Sequence, residues 1–137
     1  MSYITRAEHT EGLAFRVDLQ GHEFMVDADE QFGGKDRGPR PKALMLSALA
    51  GCTGMDVASI LGKMQMPYDS FALEISAEQT DEHPKVYREI TVRYIFTGSE
   101  LDRSKIEKAV KLSQEKYCGV SAMLAKTATI NTEIVTE

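Results

Sequence analysis

Two cysteines, Cys52 and Cys118, are the residues of this 137-residue chain best suited to covalent chemistry. They stand far outside the spacing of a CxxC redox motif or of paired zinc ligands, and two are too few for a disulfide framework. If the fold brings them together, the pair can run a peroxidase cycle. One thiolate attacks the O–O bond of a peroxide and becomes a sulfenic acid, which condenses with the other thiol to a disulfide. Reduction by an external thiol then resets the pair.

Such a cycle needs an activated thiolate. At an unperturbed pKa of about 8.5 only a few per cent of a thiol is ionised at neutral pH, whereas a pKa near about 6 gives roughly nine-tenths thiolate. A cation or hydrogen-bond donor must therefore approach Cys52. Within its own helical neighbourhood Ala48 and Asp56 lie one turn to either side, and an ionised Asp56 on the same face opposes a thiolate. Lys42 and Arg40, near the start of the same segment, and Arg16, Arg37 and Arg88 are the candidate cations.

Cys52 must be carried by the stretch Pro41–Met64, PKALMLSALAGCTGMDVASILGKM. Between Ala43 and Cys52 only Ser47 is polar, and Leu44, Leu46, Leu49, Cys52, Met55, Val57, Ile60 and Leu61 go nearly all round a helical axis. The pattern predicts a long helix buried on most sides. Pro41 suits its first turn, where the missing N–H has no partner to lose, and Pro67 pushes Met66 out of helical space and ends it. Gly51 and Gly54 inside a helix imply close backbone approach, and the surplus apolar surface implies a second copy of the chain against it. Asp56, Lys63, Ser47, Thr53 and Ser59 argue for a buried helix of a soluble protein over a membrane span.

The flanking segments read as strands. Tyr3–Glu8, Leu13–Leu19 and Glu23–Asp27, punctuated by Glu11-Gly12 and Gln20-Gly21, predict an antiparallel meander. Residues 28–40 form a charged, glycine-rich loop. After the helix, Phe71, Leu73, Ile75 and Ala77 alternate with polar residues, and Val86–Phe96 alternates again with Ile90, Val92, Tyr94 and Phe96 on one face, which predicts a hairpin. Asp102 or Ser99 can cap a helix carrying Ile106, Ala109, Val110 and Leu112 up to Tyr117. Cys118 follows at once, Gly119 marks a bend, Val120–Lys126 makes a short helical turn, and Thr127–Val135 closes the chain as a strand.

No linker or repeat separates these pieces, so residues 1–137 are expected to form one domain. A formal charge of −5 without a Lys/Arg cluster disfavours nucleic acid as a partner. The start of the chain has no charged-then-apolar leader, which points to the cytoplasm. His9, His22 and His83 are scattered among turn-like segments, so neither a metal nor another cofactor is expected.

Pro41-x-x-Leu44 running into Ala48-Leu49-Ala50-Gly51-Cys52-Thr53, then Asp56-Val57-Ala58-Ser59-Ile60-Leu61, and later Glu115-Lys116-Tyr117-Cys118-Gly119-Val120-Ser121-Ala122-Met123-Leu124, resembles the OsmC/Ohr family of thiol-dependent hydroperoxide reductases. More narrowly, the chain is similar to the uncharacterised OsmC-like branch. The resemblance implies an α+β fold, with antiparallel sheets around a long buried central helix in an intertwined homodimer. It makes Cys52 the peroxidatic thiol and Cys118 the resolving one, near the subunit interface. Peroxidase members carry a glutamate just after the helix-start proline, which with an arginine activates the thiolate. Here Lys42 and Ala43 follow Pro41. The resulting expectation is an enzyme that reduces an organic hydroperoxide at the expense of an external thiol or dithiol, with an apolar pocket lined by Leu49 and Met55. The alternative is a redox sensor or apolar-ligand-binding protein on the same fold.

Overall fold

The computed structural model describes residues 2–137. They fall into two compact units, the first ending at Met45 and the second comprising Leu46–Glu137. The architecture is α+β, with a three-stranded sheet in each unit and one long helix.

In the first unit β1 (Thr5–His9), β2 (Phe15–Leu19) and β3 (His22–Val26) pair antiparallel in sequence order, the meander expected from the turn punctuation. Gln20 (φ 51°) and Gly21 (φ 81°) are both left-handed, which a two-residue hairpin turn requires to match the strand twist. Arg16 on β2 spans the sheet, reaching Glu8 on β1 at 2.8 Å and Glu23 on β3 at 3.4 Å.

The loop after β3 contains a short 3-10 turn, Glu30–Phe32, and is organised by one buried carboxylate. Asp27 accepts from the Ala28 N–H at 2.7 Å with one oxygen, and from the Lys35 and Arg37 N–H groups at 3.1 and 3.2 Å with the other. Burial alone raises its pKa. The three backbone donors and the Arg37 charge outweigh that and hold it below the ordinary aspartate value.

The long helix, α1 (Leu44–Lys63), starts three residues later than Pro41, because Pro41–Ala43 form a turn that leads into it. It ends with Gln65 in the left-handed conformation (φ 57°), which lets the Met66 N–H bond back to the Leu61 carbonyl. In the second unit β4 (Ser70–Gln79) and β5 (Tyr87–Thr97) form the expected hairpin, whose register sets Phe71 opposite Phe96, Leu73 opposite Tyr94 and Ile75 opposite Val92. The last strand, β6 (Thr129–Thr136), pairs parallel to β5. A parallel pair needs a crossover, which α2 (Arg103–Leu112), a π turn over Ser113–Tyr117 and α3 (Gly119–Leu124) supply. Asp102, and not Ser99, caps α2. Gly119, expected at a bend, is instead the first residue of α3.

The core of the second unit is where β5 meets α1 and α2. Ile90, Val92, Tyr94 and Phe96 point inward, fully buried, against Leu49, Val57 and Leu61 of α1 and Ile106 and Ala109 of α2. Phe96 stacks on Phe71 with ring centroids 4.2 Å apart. Gly54 belongs to this seam, since a Cβ there would stand 3.1 Å from a Leu73 methyl.

One expectation about α1 is corrected. Its buried residues are Leu49, Thr53, Val57 and Leu61, a single stripe at four-residue spacing. Met45 and Met55 are exposed, Met55 at 76%, and a Cβ on Gly51 would meet nothing. The close approach that Gly54 serves lies within the chain. By length and composition α1 could cross a membrane, but its buried stripe makes it the core helix of the second unit.

Two outcomes follow. Phe96→Ala should lower unfolding free energy by about 3–5 kcal/mol, the range for deleting a fully buried phenylalanine, in a denaturant titration. Because the folded-state pKa of Asp27 is depressed, its stabilisation of the loop is present above the ordinary aspartate value and is lost as pH falls through the lower, folded one. The Lys35 and Arg37 amide resonances should titrate together below the ordinary aspartate range, and Asp27→Asn should abolish that step.

Candidate functional site

Thr53 is the polar residue that α1 places inside its apolar stripe, and its hydroxyl cannot remain unpaired in a core. It lies 2.7 Å from Tyr94 Oη on β5 and 2.7 Å from Ser113 Oγ, where α2 gives way to the π turn. Ser113 donates to Asp56 Oδ2 at 2.9 Å, and Gln114 Nε2 donates to Tyr94 Oη at 2.9 Å and to Thr53 Oγ1 at 3.3 Å.

The polarity of this chain follows from its end. A carboxylate only accepts, so the single Ser113 proton goes to Asp56, and Ser113 must accept from Thr53. Thr53 in turn accepts from Tyr94, which accepts from Gln114. Every hydroxyl donates once, in one direction, toward Asp56. Burial raises the Tyr94 pKa, as do the neighbouring Cys118 and Asp56, while its hydrogen bonds with Thr53 and Gln114 oppose that rise.

Asp56 sits one turn beyond Cys52 on α1, so both side chains leave the helix on the same side. Cys118 reaches them by a local irregularity. The π turn closes with a 2.7 Å bond from the Cys118 N–H to the Ser113 carbonyl, and Cys118 itself is extended (φ −78°, ψ 101°). It caps α3, with Sγ accepting from the Ser121 N–H at 3.3 Å. A π turn adds a residue to the helical cycle and re-aims the side chain that follows it. The Sγ atoms of Cys52 and Cys118 and a carboxylate oxygen of Asp56 consequently lie within 4.8 Å of one another.

Both cysteines are free, Cys52 half-buried and Cys118 buried. Burial pushes the Cys118 thiol up; Ser121 pulls it down, and the adjacent Cys52 adds to the rise. The structure thus brings together the two cysteines that the sequence singled out, and adds Asp56, Ser113, Thr53, Tyr94 and Gln114. Asp56 carried a signal in its four-residue spacing from Cys52, and Thr53 in being polar within an apolar stripe. Tyr94, Ser113 and Gln114 carried none.

Most of the candidate cations are engaged elsewhere. Arg16 bridges Glu8 and Glu23, Arg37 pairs with Glu11, and Arg40 pairs with Asp36 at 2.7 Å and Asp29 at 3.6 Å, all within the first unit, to which Lys42 also belongs. Arg88 bonds Glu78 across the β4–β5 hairpin at 3.0 Å. The expected pocket residues are also placed differently, with Leu49 sealed in the core and Met55 exposed. A groove of about 430 Å³ instead opens beside Asp56, with Ile60, Met64, Leu112 and Tyr117 as its apolar lining and Lys63 and Lys108 as its cations.

Comparison with known proteins gives this arrangement a context. Residues 33–133 match the family model described as OsmC-like protein. Protein YhfA of Escherichia coli K12 is 33% identical over 126 residues, covering 91% of each chain. A hypothetical protein from Aquifex aeolicus VF5 superimposes with a TM-score of 0.89 at 26% identity, over 100% of this chain and 97% of that one. The fold also recurs in an organic hydroperoxide resistance protein, OsmC, of Legionella pneumophila, with a TM-score of 0.74 at 13% identity over 98% of this chain and 97% of that one. The chain belongs to the OsmC-like protein family.

Proposed function

We propose that the protein is a thiol-dependent hydroperoxide reductase in which Cys52 is the peroxidatic and Cys118 the resolving cysteine. The single observation that carries this reading is the meeting of two free thiols from distant elements, with sulfurs within 4.8 Å. The Cys52 thiolate attacks the O–O bond of ROOH, giving a Cys52 sulfenic acid and an alkoxide that takes up a proton to leave as ROH. The Cys118 sulfur then attacks the sulfenic sulfur, forming the Cys52–Cys118 disulfide and releasing water. An external dithiol reduces this disulfide by exchange and restores both thiols. Asp56, with a carboxylate oxygen within 4.8 Å of both sulfurs, is the candidate to take the Cys52 proton and return it to the alkoxide. The groove beside Asp56 offers Ile60, Met64, Leu112 and Tyr117 to the organic group of a hydroperoxide, which favours an organic hydroperoxide over hydrogen peroxide.

A second reading, a redox sensor or ligand-binding protein with little turnover, draws on the arginines. Arg16, Arg37, Arg40 and Arg88 all hold carboxylates, and Lys42 and Ala43 stand where peroxidase members have a glutamate. The reading also includes a cytoplasmic homodimer joined through the exposed face of α1, where Met45, Gly51 and Met55 leave an apolar strip next to the half-buried Cys52.

Wild-type protein should consume cumene hydroperoxide in the presence of a dithiol, faster than it consumes hydrogen peroxide. Cys52→Ser should lose this activity by at least a hundredfold. Cys118→Ser should perform one turnover and leave a sulfenic acid that a dimedone adduct reveals by mass spectrometry. Equal peroxide loss by Cys52→Ser and wild type would refute the reductase, and disulfide formation without sustained turnover would select the sensor. For the assembly, light scattering should give twice the chain mass, and Met55→Glu should shift it toward one chain mass. A wild-type monomer at tens of micromolar would overturn the dimer.

A further inference from the structure

Spacing in the sequence speaks against a metal, yet the fold assembles three donors of the kind that thiophilic cations take. Cys52, Asp56 and Cys118 each offer one ligand atom, and all three atoms lie within 4.8 Å of one another. In a tetrahedral zinc site, with Zn–S near about 2.3 Å and Zn–O near about 2.0 Å, adjacent donors stand roughly 3.5–3.8 Å apart. A contraction of at most about 1.3 Å closes the triangle, which lies within the reach of side-chain rotation. From these distances we infer that the reduced protein binds one divalent thiophilic cation, with zinc as the biological candidate, through Cys52 Sγ, Cys118 Sγ and Asp56, leaving the fourth position to water.

A second observation supports a built site over a chance cluster. Asp56 is held from behind, with Oδ2 accepting from Ser113, which is oriented by Thr53, Tyr94 and Gln114 in turn. A carboxylate fixed by an outer hydrogen bond is how metal-ligating groups are kept in register. Cys118 is likewise fixed by the Ser121 N–H. The charges fit as well. Two thiolates and a carboxylate around a dication leave one net negative charge, and Lys63 and Lys108 line the groove that Asp56 shares. Coordination releases two protons, one from each thiol, to the solvent and transfers no electrons.

This inference goes beyond the reductase reading and links to it through the sulfurs. A metal-bound pair has no free thiolate to attack a peroxide, and a disulfide has no thiolate to give a metal. Metal occupancy and oxidation therefore exclude each other, so zinc would act as a reversible block whose release returns both thiols.

The experiment titrates full-length, reduced, metal-free protein with Cd2+ and follows the ultraviolet thiolate-to-cadmium charge-transfer band, with Zn2+ competed against it. The expected result is one Cd2+ per chain, displaced by Zn2+. Cys52→Ala and Cys118→Ser should lose most of the band, and Asp56→Asn should bind about tenfold or more weakly with both thiols intact. Ser113→Ala should weaken binding while leaving stoichiometry unchanged, and thermal melts of the metal-free variants separate loss of the site from loss of the fold. Preformed disulfide should show no band. An absent band in wild type, or affinity unchanged by Asp56→Asn in a folded protein, would overturn the site. None of these readouts uses peroxide, so failure here leaves the reductase reading standing, and failure of peroxide turnover leaves the metal site standing.

Discussion

The second unit depends on how one hydroxyl inside α1 is satisfied. Thr53 occupies a place in the stripe where every other buried residue is aliphatic, and a hydroxyl left unpaired there would cost about 1–3 kcal/mol or more. Its partners come from β5 and from the end of α2, so satisfying it fixes α1 against both at once. The same bonds pass through Ser113 to Asp56, which stands beside the two sulfurs. Packing, helix position and the chemistry of the cysteine pair are joined through a few oxygen atoms.

That joining explains the irregularity before Cys118. A regular helix through residues 113–118 would carry the cysteine round with the helical period, and its N–H would seek the carbonyl four residues back. The π turn sends that N–H to Ser113 instead, five residues back, while the Ser113 side chain remains in the core with Thr53 and Asp56. Ser113 thus anchors the π turn through its backbone and the polar chain through its side chain.

Much of the fold was legible because it rests on local rules. The meander, the β4–β5 hairpin and the capped α2 follow from alternation, turn residues and an Asx cap. The parallel pairing of β6 was not legible, since the β-branched residues of 129–136 fit either direction and only the crossover decides it. The cysteine pair was legible as two residue types and through their resemblance to a family. Its real neighbourhood was hidden, because Tyr94, Ser113 and Gln114 gain their meaning from contacts spanning dozens of residues. Apolar composition also overstated the burial of α1, because hydropathy reports what a helix can bury: the stripe through Leu49, Thr53, Val57 and Leu61 is buried, while Leu46, Cys52 and Ile60 pack only partly against the core.

Asp56 sets the character of the site. A carboxylate beside two sulfurs opposes a standing thiolate by charge, yet it can accept a thiol proton at the moment of attack and can also hold a dication against both sulfurs. Which of these uses prevails depends on what else enters the groove. An uncharged hydroperoxide brings no charge to offset the carboxylate and must rely on proton transfer, whereas a divalent cation turns the same negative charge into binding energy. The residues that fix Asp56 favour neither use in particular. They hold the oxygen in place, and a fixed oxygen serves proton transfer and metal coordination alike, which is why one buried hydroxyl chain can support both.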